Sequence, residues 1–242
     1  MMIIAAVTML VDHAGLVFFN NMPLMRGIGR ISFPLYAFMI ADGYAHVKED
    51  PERLRFYLLR LILLALISEL PYDNAFYGGF PNWDHQNVIF TLLLGFAALA
   101  VCGHFHLPVY CRIPAALAAG WIAELCHTSY GLEGVIFIMA FSFLIDFQPK
   151  EKTVRIILGT AVIWLFFIFS YTNMAPFRYG IRSLYFMFAN NPWRLTVFSA
   201  PLILAFYEGK KGNQPQWFHL CYRLFYPVHL ALIWVVSLLI QH

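Results

Sequence analysis

Nine stretches of this chain are apolar for about the length of a helix that crosses a bilayer, and each ends in a charged or Pro/Gly-containing loop. They cover residues 2–19, 28–46, 54–70, 87–103, 107–126, 132–147, 154–171, 195–207 and 220–240. Such a succession leaves few folds open. In hydrocarbon the backbone must satisfy its own hydrogen bonds, so a spanning segment is a helix or part of a closed barrel. The alternating ten-residue segments of a barrel are absent. The expectation is therefore an all-α fold: a polytopic transmembrane helical bundle of about nine segments, forming one integral-membrane domain over residues 1–242. The eighth segment is too short to cross straight, since about 20 residues are needed. It either borrows from 184–189 across the break at 190–194 or is re-entrant.

Composition agrees. Of 242 residues, 61% are hydrophobic and 12% charged, where a soluble domain has about 25% charged. The net charge of +3 gives no case for nucleic acid, because the basic residues sit in short loops. The first twenty residues lack a basic n-region and a small-residue cleavage site, and carry Asp12-His13 in their apolar core, so they do not read as a signal peptide. Cys102, Cys111, Cys126 and Cys221 form no C-x-x-C and read as buried free thiols rather than a metal or disulfide set. No metal site is expected, His104 and His106 included.

Basic residues set the orientation. Eleven of the sixteen Lys and Arg fall on one side: Lys48, Arg53, Arg55, Arg60, Arg112, Lys150, Lys152, Arg155, Lys210, Lys211 and Arg223. Arg26, Arg30, Arg178, Arg182 and Arg194 fall on the other. The N-terminus is expected in the cytoplasm, with the chain in the bacterial inner membrane.

Against this apolar background the ionisable residues stand out. Asp12 lies ten residues into the first run, about 15 Å deep at 1.5 Å per residue. A carboxylate there costs roughly 3 kcal/mol on insertion scales. It calls for a partner and a protein-lined surrounding. His13 points about 100° away around the helix axis, so the two cannot share one narrow partner. In the last run Tyr222, Tyr226 and His229 lie on one face, and His229 sits at a depth where it could meet the first helix. Pro227 in that run removes a backbone donor and would kink the helix. On the outer side stand Arg30, Glu69, Asp73, Glu124 and Glu133, with Arg30 a candidate ion-pair partner for Glu69 or Glu133. Toward the cytoplasm stand Arg53, Arg55, Arg60, Arg112 and Arg223.

Six stretches in order are similar to one family. They are Thr8-Met-Leu-Val-Asp-His-Ala-Gly15, Gly29-Arg-Ile-Ser-Phe-Pro-Leu-Tyr-Ala-Phe38 with Ala41-Asp-Gly-Tyr44, Arg60 onward to Ile67-Ser-Glu-Leu-Pro-Tyr-Asp73, Asn87-Val-Ile-Phe-Thr-Leu92, Tyr130-Gly-Leu-Glu-Gly-Val135, and Tyr226-Pro-Val-His-Leu230. Together they resemble the TraX family, named for a conjugative-plasmid membrane protein that acetylates the N-terminus of a pilin subunit. The family in turn is distantly like larger multi-pass acyltransferases that modify cell-surface sugars. The resemblance implies a membrane-embedded acetyltransferase using acetyl-CoA. Ser129 and Glu133 depart from the family pattern, on the side where an acceptor would arrive.

Given that donor, the residues take expected roles. Donor thioester comes from the cytoplasm, and an amine or hydroxyl acceptor, a peptide or a glycan, comes from outside. His13, alone or with His229, would be the base, with Asp12 orienting or charging it; an acetyl-histidine intermediate is an alternative course. Arg30, Glu69, Asp73 and Glu133 would shape the acceptor side. Arg60, with Arg53, Arg55, Arg112, Arg223 and Tyr222, would hold the phosphorylated nucleotide end of acetyl-CoA. The rival reading is a small-molecule or proton-coupled transporter, for which intramembrane Asp and His are also ordinary. In a third, the two residues only lock helices.

Overall fold

The computed structural model describes residues 1–147, 151–172, 196, 199–205 and 215–241. Among them every regular element is helical, and the one non-helical pairing is an isolated bridge between Gln86 and Thr128. The all-α expectation holds. The helices are α1 (Met2–Val17), α2 (Pro23–Gly29), α3 (Ser32–Val47), α4 (Pro51–Tyr77), α5 (Val88–His104), α6 (Arg112–Leu125), α7 (Gly131–Phe147), α8 (Lys152–Thr172), α9 (Ala200–Ala205) and α10 (Gln216–Gln241). A single 3-10 turn, Val109–Cys111, leads into α6.

The boundaries follow local chemistry. α4 begins where Asp50 accepts a hydrogen bond from the Arg53 amide at 3.1 Å, with Pro51 in the first helical position. Both are strong start signals, since Asp satisfies an orphan N–H and Pro has none to lose. It ends at Gly78, whose φ of 75° lies in the left-handed region, where only glycine goes at no steric cost. α5 is capped by Asn87, whose side chain accepts from the Ile89 amide at 2.9 Å.

Two expected segments come out differently. The run 28–46 is interrupted: α2 stops at Gly29, and α3 starts afresh at Ser32, whose Oγ donates to the Gly29 carbonyl at 2.8 Å. A serine bonded back to the preceding turn offers the backbone an alternative to continuing the helix. Of the run 195–207, α9 covers six residues, and the borrowed stretch 184–194 lies outside the described residues, as do Lys150, Arg178, Arg182, Arg194, Lys210 and Lys211. By length and composition, one described helix is apolar enough to cross a bilayer, at Leu220–Ile240 within α10. Shorter apolar stretches are Met2–Val17, Val88–His104 and Thr153–Trp164. α4 has the length, with 27 residues, but carries Arg53, Arg55 and Arg60 near one end and Glu69 and Asp73 near the other.

The chain divides into two compact units, Met1–Tyr36 with Pro149–His242, and Ala37–Gln148. In the first, α1 lies against α2 and α10, and α8 against α9. In the second, α5 is central and touches α4, α6 and α7. Its Phe96 is wholly buried, stacked on Tyr57 at 4.4 Å and met edge-on by Tyr44 at 5.8 Å. Phe137, Ile138 and Phe141 of α7 are buried beside it in the same unit. Burying each such side chain is worth about 1.5–3 kcal/mol. The outward faces are apolar too: Leu63, Leu66 and Ile67 of α4 and Leu232, Val235 and Leu239 of α10 are exposed.

Candidate functional site

α1 places Asp12 and His13 in succession, and the first unit gives each its own partner. Asp12 Oδ2 is ion-paired with Arg26 of α2 at 2.9 Å, and the two side chains are 17% and 25% exposed. Oδ1 of Asp12 is buried with no hydrogen-bond partner. α2 comes this close because Gly29 has no side chain. A Cβ built there would stand 2.2 Å from the Asp12 Cβ, a separation atoms do not reach. Arg30 follows directly and lies within electrostatic reach of the same carboxylate.

His13 instead faces α10. Its Nδ1 lies 2.8 Å from Nε2 of His229. The rings are parallel to within 9°, with centroids 5.0 Å apart. Parallel planes with so short a nitrogen–nitrogen contact mean that the imidazoles meet edge to edge rather than face to face. His229 is 3% exposed. Its Nδ1 lies 2.7 Å from the Phe225 carbonyl oxygen, one turn back on the same helix. The Phe225 ring is parallel to His229 at 4.8 Å, and Tyr226 stands edge-on to both histidines, at 5.5 and 6.3 Å. The aligned face of α10 is thus as the sequence indicates, with Tyr222 toward its N-terminal end lying parallel to Tyr36 at 6.4 Å. Pro227 lies within an uninterrupted α10.

One expected contact is corrected. Asp12 was the natural candidate to orient His13, but its carboxylate is held by Arg26, and the group hydrogen-bonded to His13 is His229. The reason is the 100° between adjacent helical side chains. Arg26 is the residue that sequence reasoning passed over. It counts among the loop arginines for orientation, and its one signal is its place four residues before Arg30, on the same helical face.

The second unit holds a different polar cluster. Glu69 and Asp73 lie one turn apart on α4, with residue exposures of 9% and 0%. Glu69 Oε2 accepts from the Asn87 amide N–H at 3.2 Å and, by a very short contact, from the Asn87 side-chain amide. Asn87 Nδ2 also donates to the Ala65 carbonyl at 2.9 Å. Asp73 Oδ2 accepts from the Asn82 amide at 2.7 Å. The remaining oxygens, Glu69 Oε1 and Asp73 Oδ1, are buried without hydrogen-bond partners, as is Ser68 Oγ. Asp73 lies beyond the apolar run that ends at Leu70, and burial pushes its carboxyl above the usual carboxylate range, with the Asn82 N–H opposing. Glu133 is half-buried in the first turn of α7. Asn87 is the residue missed here; its signal was its position just before an apolar run, which also made it a cap.

The basic residues assigned to the nucleotide end are spread out. Arg53 is ion-paired with Asp50 at 3.0 Å. Arg60 lies over the Tyr57 ring at 4.3 Å. Arg112 donates to Ser142 Oγ at 3.3 Å and makes a very short ion pair with Asp146. Arg55 and Arg223 are exposed. Among the described residues no group of three or more His, Cys, Asp or Glu is placed to hold a metal ion. The four cysteines are free, but only Cys102 is fully buried; Cys126 and Cys221 are exposed.

With this geometry in place, comparison with known proteins is informative. The sequence model of the family described as TraX protein matches residues 1–237. A relative described as "Probable fimbrial assembly protein FimC, serogroup H1", from Dichelobacter nodosus, is 27% identical over 255 residues, covering 99% of this chain and 95% of its own length. No solved structure matches the chain.

Proposed function

The chain belongs to the TraX family, and from that premise we propose that it is an integral-membrane acyltransferase that moves an acetyl group from cytoplasmic acetyl-CoA to an amine or hydroxyl at the outer membrane face. A pilin-like N-terminus or a surface glycan is the class of acceptor. The similarity to a protein named for fimbrial assembly supports the former. The observation that carries the reading is the hydrogen bond between His13 of α1 and the buried His229 of α10. It joins the first and last described helices through two imidazoles, each able to donate a proton at one ring nitrogen and accept one at the other.

The chemistry asked of the site is proton transfer at a carbonyl. As the acceptor nitrogen or oxygen attacks the thioester carbon, it must lose a proton, and the departing thiolate must gain one. A histidine can do both in sequence. His13 takes the acceptor proton as the new C–N or C–O bond forms and returns it to sulfur as the C–S bond breaks. Asp12 and Arg26 form a neutral pair beside it, which lets charge sit near mid-membrane without an isolated ion. Glu69, Asp73 and Glu133 of the second unit shape the acceptor side in this proposal. Arg55 and Arg60 of α4 receive the phosphates of acetyl-CoA. Arg53 and Arg112 are each already engaged by a carboxylate and contribute positive charge only.

The exposed apolar faces of α4 and α10 support several crossings of the inner membrane, and the excess of Lys and Arg on one side supports an N-terminus inside. The test is a proteoliposome assay. Purified full chain with acetyl-labelled CoA inside and N-terminal peptides or oligosaccharides outside should acetylate one class, detected by mass spectrometry. Solute uptake with no acetyl transfer and no thermal stabilisation by acetyl-CoA would overturn the proposal in favour of a transporter.

A further inference from the structure

The hydrogen bonds through the two histidines run in one direction only. A backbone carbonyl has no proton to give, so at the 2.7 Å contact between His229 Nδ1 and the Phe225 oxygen the ring nitrogen is the donor. A neutral imidazole carries one N–H. With that proton on Nδ1, Nε2 of His229 is a bare lone pair. The contact at 2.8 Å to His13 Nδ1 then requires the proton to sit on His13. This in turn leaves the lone pair of neutral His13 on Nε2. The coplanar, edge-to-edge arrangement of the rings puts the His229 lone pair in line with the His13 N–H, as a strong hydrogen bond needs.

We propose that His229 is a positioning residue: it holds His13 in the Nδ1–H tautomer, so that His13 Nε2 is the nitrogen that takes the proton. This deepens the acyl-transfer reading and rests on it for the word base, but not for the tautomer. The arrangement is the base-and-orienter logic of nucleophilic enzymes, with two differences. The orienting group is a neutral imidazole instead of a carboxylate, and it is itself anchored by a backbone carbonyl of its own helix. A neutral orienter adds no second charge to an apolar span, where a carboxylate would be costly. When His13 Nε2 is protonated, the cation keeps its Nδ1–H bond to His229, and the bond from His229 to Phe225 aligns a second dipole behind it. Asp12 is excluded from the orienting role because Arg26 holds one oxygen and the other has no hydrogen-bond partner. Tyr226, edge-on to both rings, limits their rotation.

The tautomer can be read without any assay of activity. Nitrogen-15 NMR of the full chain in lipid nanodiscs, labelled at histidine and assigned by the signals lost in His13→Asn, should show His13 protonated at Nδ1 and bare at Nε2. In His229→Leu, His13 should revert to the Nε2–H form that imidazole side chains favour without such a bond. In His229→Gln, whose amide oxygen still accepts, the Nδ1–H form should persist. In the acetyl-transfer assay His229→Leu should lower kcat roughly 100-fold, and His229→Gln should recover to within about ten-fold of wild type. KM for acetyl-CoA should not move in either. His13 protonated at Nε2 in the wild type would overturn the proposal, as would equal kcat losses in the two variants. If no acetyl transfer occurs but the tautomer switches as described, the relay stands and the acyl-transfer reading falls.

Discussion

The two units bury polar groups in opposite ways. In the first, Asp12 and His13 each meet a partner of complementary character. Asp12 has the Arg26 cation, and His13 has a second imidazole that completes a donor–acceptor chain. In the second, Glu69 and Asp73 are more deeply buried, yet their hydrogen-bond partners are neutral amides; each keeps one buried oxygen unsatisfied, as Asp12 does in the first. A cation beside a carboxylate opposes the effect of burial and fixes the group in place. A carboxyl held by amides has no opposing charge beside it. The contrast teaches that the same residue types can serve a proton-moving centre in one place and a polar helix tie or recognition face in another. The partner decides which.

The largest expected effect tests that division directly. His13→Ala should lower acetyl transfer by 100-fold or more, the scale of general acid–base catalysis, while Glu69→Gln, which keeps an acceptor for Asn87, should move the rate far less. Measuring both in one proteoliposome assay sharpens the comparison, and equal losses would break it.

Stability gives the next test. Arg26→Met strands the Asp12 carboxylate and should cost about 3 kcal/mol, the low end for a broken buried pair because both partners keep some exposure. The double variant Asp12→Asn with Arg26→Met should regain most of it. Thermal unfolding in detergent reads both.

Asn87→Ala should cost somewhat less, roughly 2 kcal/mol, because it removes the cap of α5 and the side-chain bond to Glu69 Oε2 while keeping the bond from the backbone N–H of residue 87. If Arg26→Met and Asn87→Ala proved equally mild, the ranking of charged over neutral partners would fail.

The smallest effect is in pH. The Asp73 carboxyl is raised in the folded chain, so its contribution to stability is complete below its unfolded value, near 3.8, and is lost as pH rises through the folded value. Asp73→Asn should flatten that part of the stability–pH curve above pH 4. An unchanged slope in unfolding midpoints would show that the carboxyl is not perturbed.

Much of this was legible in the residues themselves. Asp12-His13 in an apolar run and His229 on the Tyr222–Tyr226 face were conspicuous, because ionisable groups are rare where hydrocarbon is the solvent. Pro51, Gly78 and Asn87 carry helix-end chemistry that acts over three or four residues, but the apolar runs alone did not use it. Arg26 was not legible as a partner. It reads as one of several loop arginines until α2 folds back on α1 and Gly29 lets it approach. Nor was the break between α2 and α3, since an apolar run hides a serine that turns back on the carbonyl of Gly29, three residues before it.

The sequence by itself determined that the chain is helical, that its charged residues are few, and that it carries the TraX pattern in order. Short-range periodicity and the solvation cost of charge are enough for that. Only the tertiary structure decided the partners: Asp12 to Arg26, His13 to His229, and Glu69 to Asn87. Two adjacent residues on a helix point 100° apart, and which neighbour each meets depends on how distant helices come to lie. That is fixed by contacts between different helices, His13 and His229 lying 216 residues apart in the chain, not by any spacing within one helix.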